Sequence, residues 1–217
     1  MEHPREQKSR LGGYSYIYST ICESEFSKSI KIEDVGKLEE DVFVRDELEE
    51  KHFEAGVKTI LFAALSLEAA INDYAAWQLG DKYFDAHLSS LDVASKWLVI
   101  PKLVCGKSLD KSGPAYCALK KLISARNELV HNKSKHLDIN DPKLHLKLEK
   151  RSENFDANII NSYRAIVLLS LSMDKIIGAQ FNPIRSFNKK VNLALDIPDN
   201  IVEIVNDCRD IIARNHS

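Results

Sequence analysis

The chain has 217 residues, with 30 Lys and Arg against 32 Asp and Glu, so its formal net charge is −2 at pH 7. This balance excludes a protein that coats nucleic acid or anionic membrane through bulk positive charge. With only 8 glycines and 6 prolines, the chain has about half the usual share of these residues. That scarcity disfavours a turn-rich sandwich or barrel and favours long helices.

The distribution of apolar residues and of cysteines indicates the cellular compartment. No apolar run reaches the roughly 18 residues that a membrane span requires, and the first residues lack the apolar core of a secretory signal. The four cysteines are scattered, with no C-x-x-C pair: Cys22, Cys105, Cys117 and Cys208. We therefore expect a cytoplasmic protein without membrane association, whose cysteines are buried free thiols rather than disulfides or zinc ligands.

The first third of the chain gives weak signals followed by a strong one. The tyrosine-rich run 14–18 alternates and predicts a short strand or an irregular segment. Residues 33–54 predict an acidic helix that is interrupted near Gly36. Residues 57–79 carry apolar side chains at helical spacing and predict a helix that ends before Gly80.

The rest of the chain predicts more helices and two short strands. The further helical segments are 81–88, 91–104, 115–132, 159–171 and 201–212. Pro101 is expected to kink or end the second of these helices. Strict alternation in 143–150 and 191–197 predicts strands that would pair as a peripheral ribbon. The expected fold is therefore mainly α, a bundle of at least five helices with at most a small β-ribbon.

Two predicted helices carry a charge in the middle of an apolar stripe. On a wheel at about 100° per residue, Glu68 falls among the apolar residues of 57–79 and Arg126 among those of 115–132. A lone buried charge costs several kcal/mol, so each needs a partner or a water-filled cleft. The pattern predicts either a buried Glu68–Arg126 ion pair that fixes helix register, or a polar cleft in which a ligand supplies the missing charge.

The residues after Arg126 favour the cleft. Arg126, Asn127 and His131 lie within two turns, close to the predicted end of their helix. An arginine offers a planar fork of donors to a phosphate. A histidine takes or gives a proton near neutral pH, and an asparagine can orient the ring or the substrate. These side chains suit phosphodiester chemistry.

The run Arg126-Asn127-Glu-Leu-Val-His131 resembles the R-x4–6-H motif of the HEPN family, and residues 65–72 resemble the first core helix of prokaryotic HEPN proteins. The resemblance covers roughly residues 55–180. Residues between the two segments also fit it: Lys96, Trp97, Pro101 and Gly106. We assign residues 51–217 to a HEPN-like helical domain and residues 1–50 to an N-terminal extension of unknown role.

The resemblance implies a metal-independent endoribonuclease of the toxin or antiviral-defence kind, without a cofactor. It implies that Arg126 holds the scissile phosphate and that His131 is the general base or acid when an RNA 2′-hydroxyl attacks it. Asn127 would position these groups, and Glu68 would orient Arg126. The implied partners are a second copy of the chain in a homodimer, the RNA substrate, and an antitoxin or regulatory protein.

Further candidates surround this motif. Asn72, Lys133 and Lys135 are the candidate substrate contacts. Lys133 stands where some toxin members carry a tyrosine, so the sequence gives no support for modification by a nucleotidyltransferase antitoxin. The segment 131–151 has six basic and three acidic side chains, and is either a solvated face or a track for an RNA backbone. His52 is expected to lie on a polar face without a special role.

Two other classes of function remain open. One is a HEPN-like module that is catalytically inactive and binds a nucleotide or a protein partner. The other is a structural helical protein whose Glu68–Arg126 pair is an internal salt bridge. The intact Arg-Asn-His set favours activity over both alternatives.

Overall fold

The computed structural model of the chain describes residues 13–132, 134, 138–192 and 195–215. These residues form seven α-helices and no strand, which confirms the predicted helical bundle. The helices are α1 (Ser15–Gly36), α2 (Val42–Leu79), α3 (Asp81–His87), α4 (Val93–Cys105), α5 (Pro114–Val130), α6 (Leu144–Ile177) and α7 (Val202–Arg214). Short 3-10 turns lie at Ala179–Phe181 and Asp199–Ile201.

The two longest helices, α2 and α6, organise the bundle. Helix α1 packs along α2, while α6 packs against α5, α2 and α7. The fully buried side chains include Phe26 of α1, Trp97 of α4, Tyr163 of α6 and Phe187 of the segment after α6. The boundary expected at residue 50 lies inside α2, and Cys22 and Phe26 of α1 belong to the same core cluster as the rest.

Local sequence signals set the helix ends. The Asp41 carboxylate caps α2 by accepting from the backbone N–H groups of Phe43 and Val44. Asp92 caps α4 in the same way. Gly80 and Gly106 follow α2 and α4 with φ of 87° and 75°, a left-handed region that residues with a Cβ rarely adopt.

The three strand predictions were wrong over the described residues. The run 14–18 begins α1, and 143–150 covers the N-cap and first turns of α6. In 191–197 the described residues form no strand, and residues 193 and 194 lie outside the description. The alternating leucines of α6 are largely exposed, Leu146 at 52% and Leu148 at 47%. With no neighbouring strand to pair with, the backbone satisfies its hydrogen bonds within a helix instead.

Pro101 was expected to kink or end α4, and the helix does not end there but continues to Cys105. The expectation for the cysteines needs correction in part. Cys22 and Cys208 are buried free thiols as expected, and burial raises the pKa of Cys208 to about 11. Cys105 and Cys117 are also free but exposed.

Helices α2 and α6 approach closely at Gly56. A Cβ built at Gly56 would lie 2.4 Å from Ile159 Cδ1 and 2.9 Å from Phe155 Cε1. We expect Gly56→Ala to be destabilising, because overpacking a core costs about 1–3 kcal/mol, while alanine gains only about 1 kcal/mol over glycine in a helix. Urea denaturation measures the difference. In Gly36→Ala, the matched control, the new Cβ meets nothing closer than 4.0 Å, and a Gly56→Ala protein as stable as this control would contradict the prediction.

Candidate active site

The motif lies at the C-terminal end of α5. The helix begins with Pro114 at its first turn and continues through alanines and leucines that favour helix. It ends where the apolar stripe gives way to His131 and Asn132. His131 is the first residue beyond the helix, and its backbone N–H donates to the Asn127 carbonyl at 2.9 Å. Asn127 and His131 are exposed and Arg126 is half-buried, so a ligand in solution can reach all three.

The structure brings Glu68 of α2 to Arg126. Arg126 Nη2 lies 3.5 Å from Glu68 Oε2, and Arg126 Nη1 donates to Asn127 Oδ1 at 2.9 Å. The two charged side chains are 30% and 34% exposed. A pair this long and this exposed contributes about 0–1 kcal/mol. The guanidinium is therefore oriented by Glu68 and Asn127 while part of it stays open to solvent, in an arrangement unlike a buried ion pair.

Arg126 lies where α5 leaves the core. Leu119 and Leu122 in the first part of the apolar stripe are fully buried, whereas Val130 is 55% exposed. On α2, Leu65 lies almost one turn before Glu68 and is 39% exposed. The apolar stripe of α5 is thus buried at one end only, and the exposed Val130 at its open end lies about one turn beyond Arg126.

Arg126 and His131 do not share one side of the helix. Five residues advance a helix by about 7.5 Å and turn it by roughly 140°. His131 is the C-cap residue of α5, so the helical rise and rotation apply to it approximately. A single chain therefore presents the phosphate-binding group and the acid–base group on different flanks of the end of α5.

Asn72, a predicted substrate contact, has a partner within the protein. Its Oδ1 accepts a hydrogen bond from Lys96 Nζ at 3.0 Å, and Lys96 is only 4% exposed. The same ammonium lies 5.4 Å from the centre of the Phe84 ring. Asn72 thus supplies a hydrogen-bond acceptor to a buried lysine, a structural role that the sequence did not predict. The other two predicted substrate contacts, Lys133 and Lys135, lie outside the described residues.

A second polar constellation joins α1, α2 and α6. His52 Nδ1 lies 3.1 Å from Ser29 Oγ, and His52 Nε2 lies 2.9 Å from Asp156 Oδ1. His52 was expected to lie on a polar face without a special role, but its side chain is only 17% exposed and links helices. Although Ser, His and Asp also form hydrolase triads, Ser29 is 0% exposed, so no substrate reaches its hydroxyl. The constellation ties three helices together.

In the described part of the chain, no group of three or more His, Cys, Asp or Glu residues is placed to hold a metal ion. None of the described helices combines the length and the apolar character needed to cross a membrane. The chain matches no family model, no curated protein and no solved structure. The resemblance to the HEPN family therefore rests on the motif residues themselves.

Proposed function

We propose that this protein is a metal-independent endoribonuclease of the HEPN kind, acting in a toxin or antiviral-defence setting. The observation that carries the proposal is the accessible Arg126–Asn127–His131 set at the end of α5, with Arg126 oriented by Glu68 from the neighbouring helix. A guanidinium with donors open to solvent is suited to bind a phosphodiester, and an accessible imidazole at the same helix end is suited to move a proton.

The proposed reaction is an internal transfer at phosphorus. The RNA 2′-oxygen forms a bond to the adjacent phosphorus, and the bond from that phosphorus to the 5′-oxygen breaks. His131 either accepts the proton of the 2′-hydroxyl or donates a proton to the leaving 5′-oxygen, and water exchanges the other proton. Arg126 binds the non-bridging oxygens and neutralises the charge that develops on them. The products are a 2′,3′-cyclic phosphate and a free 5′-hydroxyl.

The experiment that tests the proposal is incubation of the purified protein with RNA in EDTA, with the ends of the products mapped. Cleavage that leaves cyclic phosphates supports it. If the protein binds RNA or nucleotide without cleaving it, the inactive HEPN-like module replaces the ribonuclease as the proposed function. Activity that EDTA abolishes and Mg²⁺ restores would assign the reaction to another site.

The active unit is proposed to be a homodimer. Arg126 and His131 of one chain point to different flanks, so a site that uses both groups on one phosphate is assembled more readily from two copies. In a two-fold interface each copy contributes the same patch, and the exposed Leu65 and Val130 supply apolar surface next to Arg126.

Charge placed in this patch tests the dimer. We expect Val130→Glu to yield a monomer in sedimentation and to lose RNA cleavage. In the two-fold interface the two introduced carboxylates, one from each chain, would be buried near each other. Phe181→Glu is the matched control, since Phe181 is 56% exposed on another part of the chain. A Val130→Glu protein that keeps the mass of the wild type, or a wild-type monomer that cleaves RNA, would contradict the prediction.

Arg126→Ala separates a functional from a structural role for the ion pair. We expect loss of RNA cleavage with a change in the free energy of unfolding of about 1 kcal/mol or less, because the pair is partly exposed. A buried pair would instead cost roughly 3–5 kcal/mol when one partner is removed. Thermal and urea denaturation of wild type, Arg126→Ala and Arg126→Lys distinguish the two, and a large loss of stability in Arg126→Ala would favour the structural protein.

A further inference from the structure

A groove of about 890 Å³ lies between α2, α5 and α6. Along α5 it is lined by Lys121, Ala125 and Glu128, and at the end of that helix by Asn132. These residues recur every three or four positions and share one face. Ala125 precedes Arg126, so the groove is turned from the guanidinium by roughly 100° around the helix. The groove is thus distinct from the motif, yet it ends one residue beyond His131.

Positive charge dominates the groove. Its charged lining residues are Lys121, Lys147, Lys150, Arg151 and Glu128. Lys147 is paired with Asp141 at 2.6 Å. Lys121, Lys150 and Arg151 have no hydrogen-bond or ion-pair partner among the described residues. In a chain of net charge −2, this is a local concentration of unpaired cations, which favours a polyanion such as a phosphate backbone.

An aromatic pair lies in the same groove. The rings of Phe53 on α2 and Phe155 on α6 are stacked, with centroids 4.8 Å apart and planes at 29°. Both line the groove, and Phe53 remains 53% exposed. Exposed aromatic rings beside cations are the combination on which unpaired bases stack while their phosphates are neutralised.

Side-chain amides complete the lining. Asn154, Asn158 and Asn161 follow one another along α6 in the groove, and Asn132 faces it from the end of α5. Asn161 donates to the Ala118 carbonyl at 3.1 Å and so retains its own amide oxygen as an acceptor. Amides both donate and accept, and therefore suit the mixed edges of bases in a single strand.

We propose that this groove binds single-stranded RNA and leads it to the motif at the end of α5. Lys121, Lys150 and Arg151 contact phosphates, and Phe53 stacks on a base. The inference rests on the proposed function in that it takes RNA as the ligand. It adds a binding surface on the side of α5 away from Arg126, which the R-x4–6-H motif does not include.

The test measures RNA binding without cleavage. All proteins carry His131→Ala, and a labelled single strand of about 12 nucleotides is titrated by fluorescence anisotropy at several salt concentrations. We expect Lys121→Gln and Arg151→Gln each to weaken binding and to lower the slope of log Kd against log salt by about 1. Lys120→Gln is the matched control, because Lys120 is the exposed neighbour of Lys121 on α5 and does not line the groove. It should leave both quantities unchanged.

A second variant tests the aromatic contribution. Phe53→Leu keeps an apolar side chain but removes the ring, so it should weaken binding of the single strand without changing the salt slope. Phe43→Leu is its control, since Phe43 is 86% exposed and lies outside the groove. Equal binding by Phe53→Leu and its parent, or tighter binding of a duplex than of the single strand, would overturn base stacking in the groove.

The outcomes for the groove and for the proposed function are separable. If Lys121→Gln, Arg151→Gln and Phe53→Leu all bind RNA as the parent does, or if the parent binds none, the groove proposal is wrong even where the wild type cleaves RNA. If these variants lose binding and the wild type cleaves nothing, the groove stands and the ribonuclease assignment fails. Circular dichroism and thermal melting establish that each variant is folded.

Discussion

Replacing His131 with alanine is expected to lower the rate of RNA cleavage by about 10²–10⁴-fold, the usual loss when one acid–base group is removed. The free energy of unfolding should stay within about 0.5 kcal/mol of the wild-type value, as for other exposed positions. His131 lies beyond the last turn of α5 and is exposed, and its backbone N–H bond to Asn127 survives the substitution. Cleavage of a labelled RNA in EDTA and urea denaturation measure the two quantities.

The matched control is His87→Ala, since His87 is also exposed and also lies at the end of a helix. It should cleave at the wild-type rate. Full activity in the His131→Ala protein would show that the motif is not the active site. An equal loss in both variants would show that the assay reports something other than the chemistry of His131.

Replacing Glu23 with alanine is expected to cause the largest loss of stability, about 3–5 kcal/mol. Glu23 is 8% exposed, and its Oε2 accepts a hydrogen bond from Tyr163 Oη at 2.6 Å and contacts the guanidinium of Arg185. Burial, together with the neighbouring carboxylate, raises the pKa of Tyr163, so the phenol stays protonated and donates. Without Glu23, Arg185 would lose its counter-charge and Tyr163 its acceptor.

Urea denaturation of four variants resolves this network: Glu23→Ala, Glu23→Gln, Arg185→Ala and the double variant. Glu23→Gln keeps an acceptor but not the charge, so it should be less destabilising than Glu23→Ala. The double variant Glu23→Ala with Arg185→Ala should lose less than the sum of the single changes, because the two groups act on each other. Additive losses of stability would show that Glu23 and Arg185 do not interact. Glu49→Ala, at an exposed position of α2, is the control and should be neutral.

Glu23 also connects distant parts of the chain. It joins α1 to α6 through Tyr163 and to the segment after α6 through Arg185, whose guanidinium lies 4.7 Å from the centre of the Phe187 ring. The sequence offered no signal for this contact, because an acidic residue within a polar stretch is typical of a solvated helix face. Pairing over such a separation along the chain follows only from the packing.

Features that depend on a few consecutive residues were predictable. The helix that ends before Gly80 and the helix predicted over 115–132, which runs from Pro114 to Val130, follow from apolar spacing and from the backbone preferences of glycine and proline. One of the two expectations drawn from the helical wheel was a buried Glu68–Arg126 ion pair; the structure contains the contact, but both side chains are partly exposed. Its partial exposure was not predictable, because a wheel indicates which face is apolar but not where along the helix the core ends.

The alternating segment 143–150 illustrates the limit of periodicity. Leucines at every second position fit a strand, but in the folded chain they lie at the start of α6, where Leu146 and Leu148 are exposed. A strand needs a neighbouring strand for its backbone hydrogen bonds, whereas a helix satisfies them locally. The presence or absence of a partner is a property of the tertiary structure.

By itself, then, the sequence determined the helical class, the bounds of α3, α4, α5 and α7 to within two residues, and the position of Arg126, Asn127 and His131 near a helix end. Each of these depends on residues within a few turns of one another. Only the tertiary structure decided that Asn72 accepts a hydrogen bond from Lys96, that His52 links Ser29 to Asp156, and that Phe53 stacks on Phe155 in a groove that unpaired cations also line. These contacts join helices far apart in the chain. Their geometry is fixed by how α1, α2, α4 and α6 pack, which no local pattern encodes.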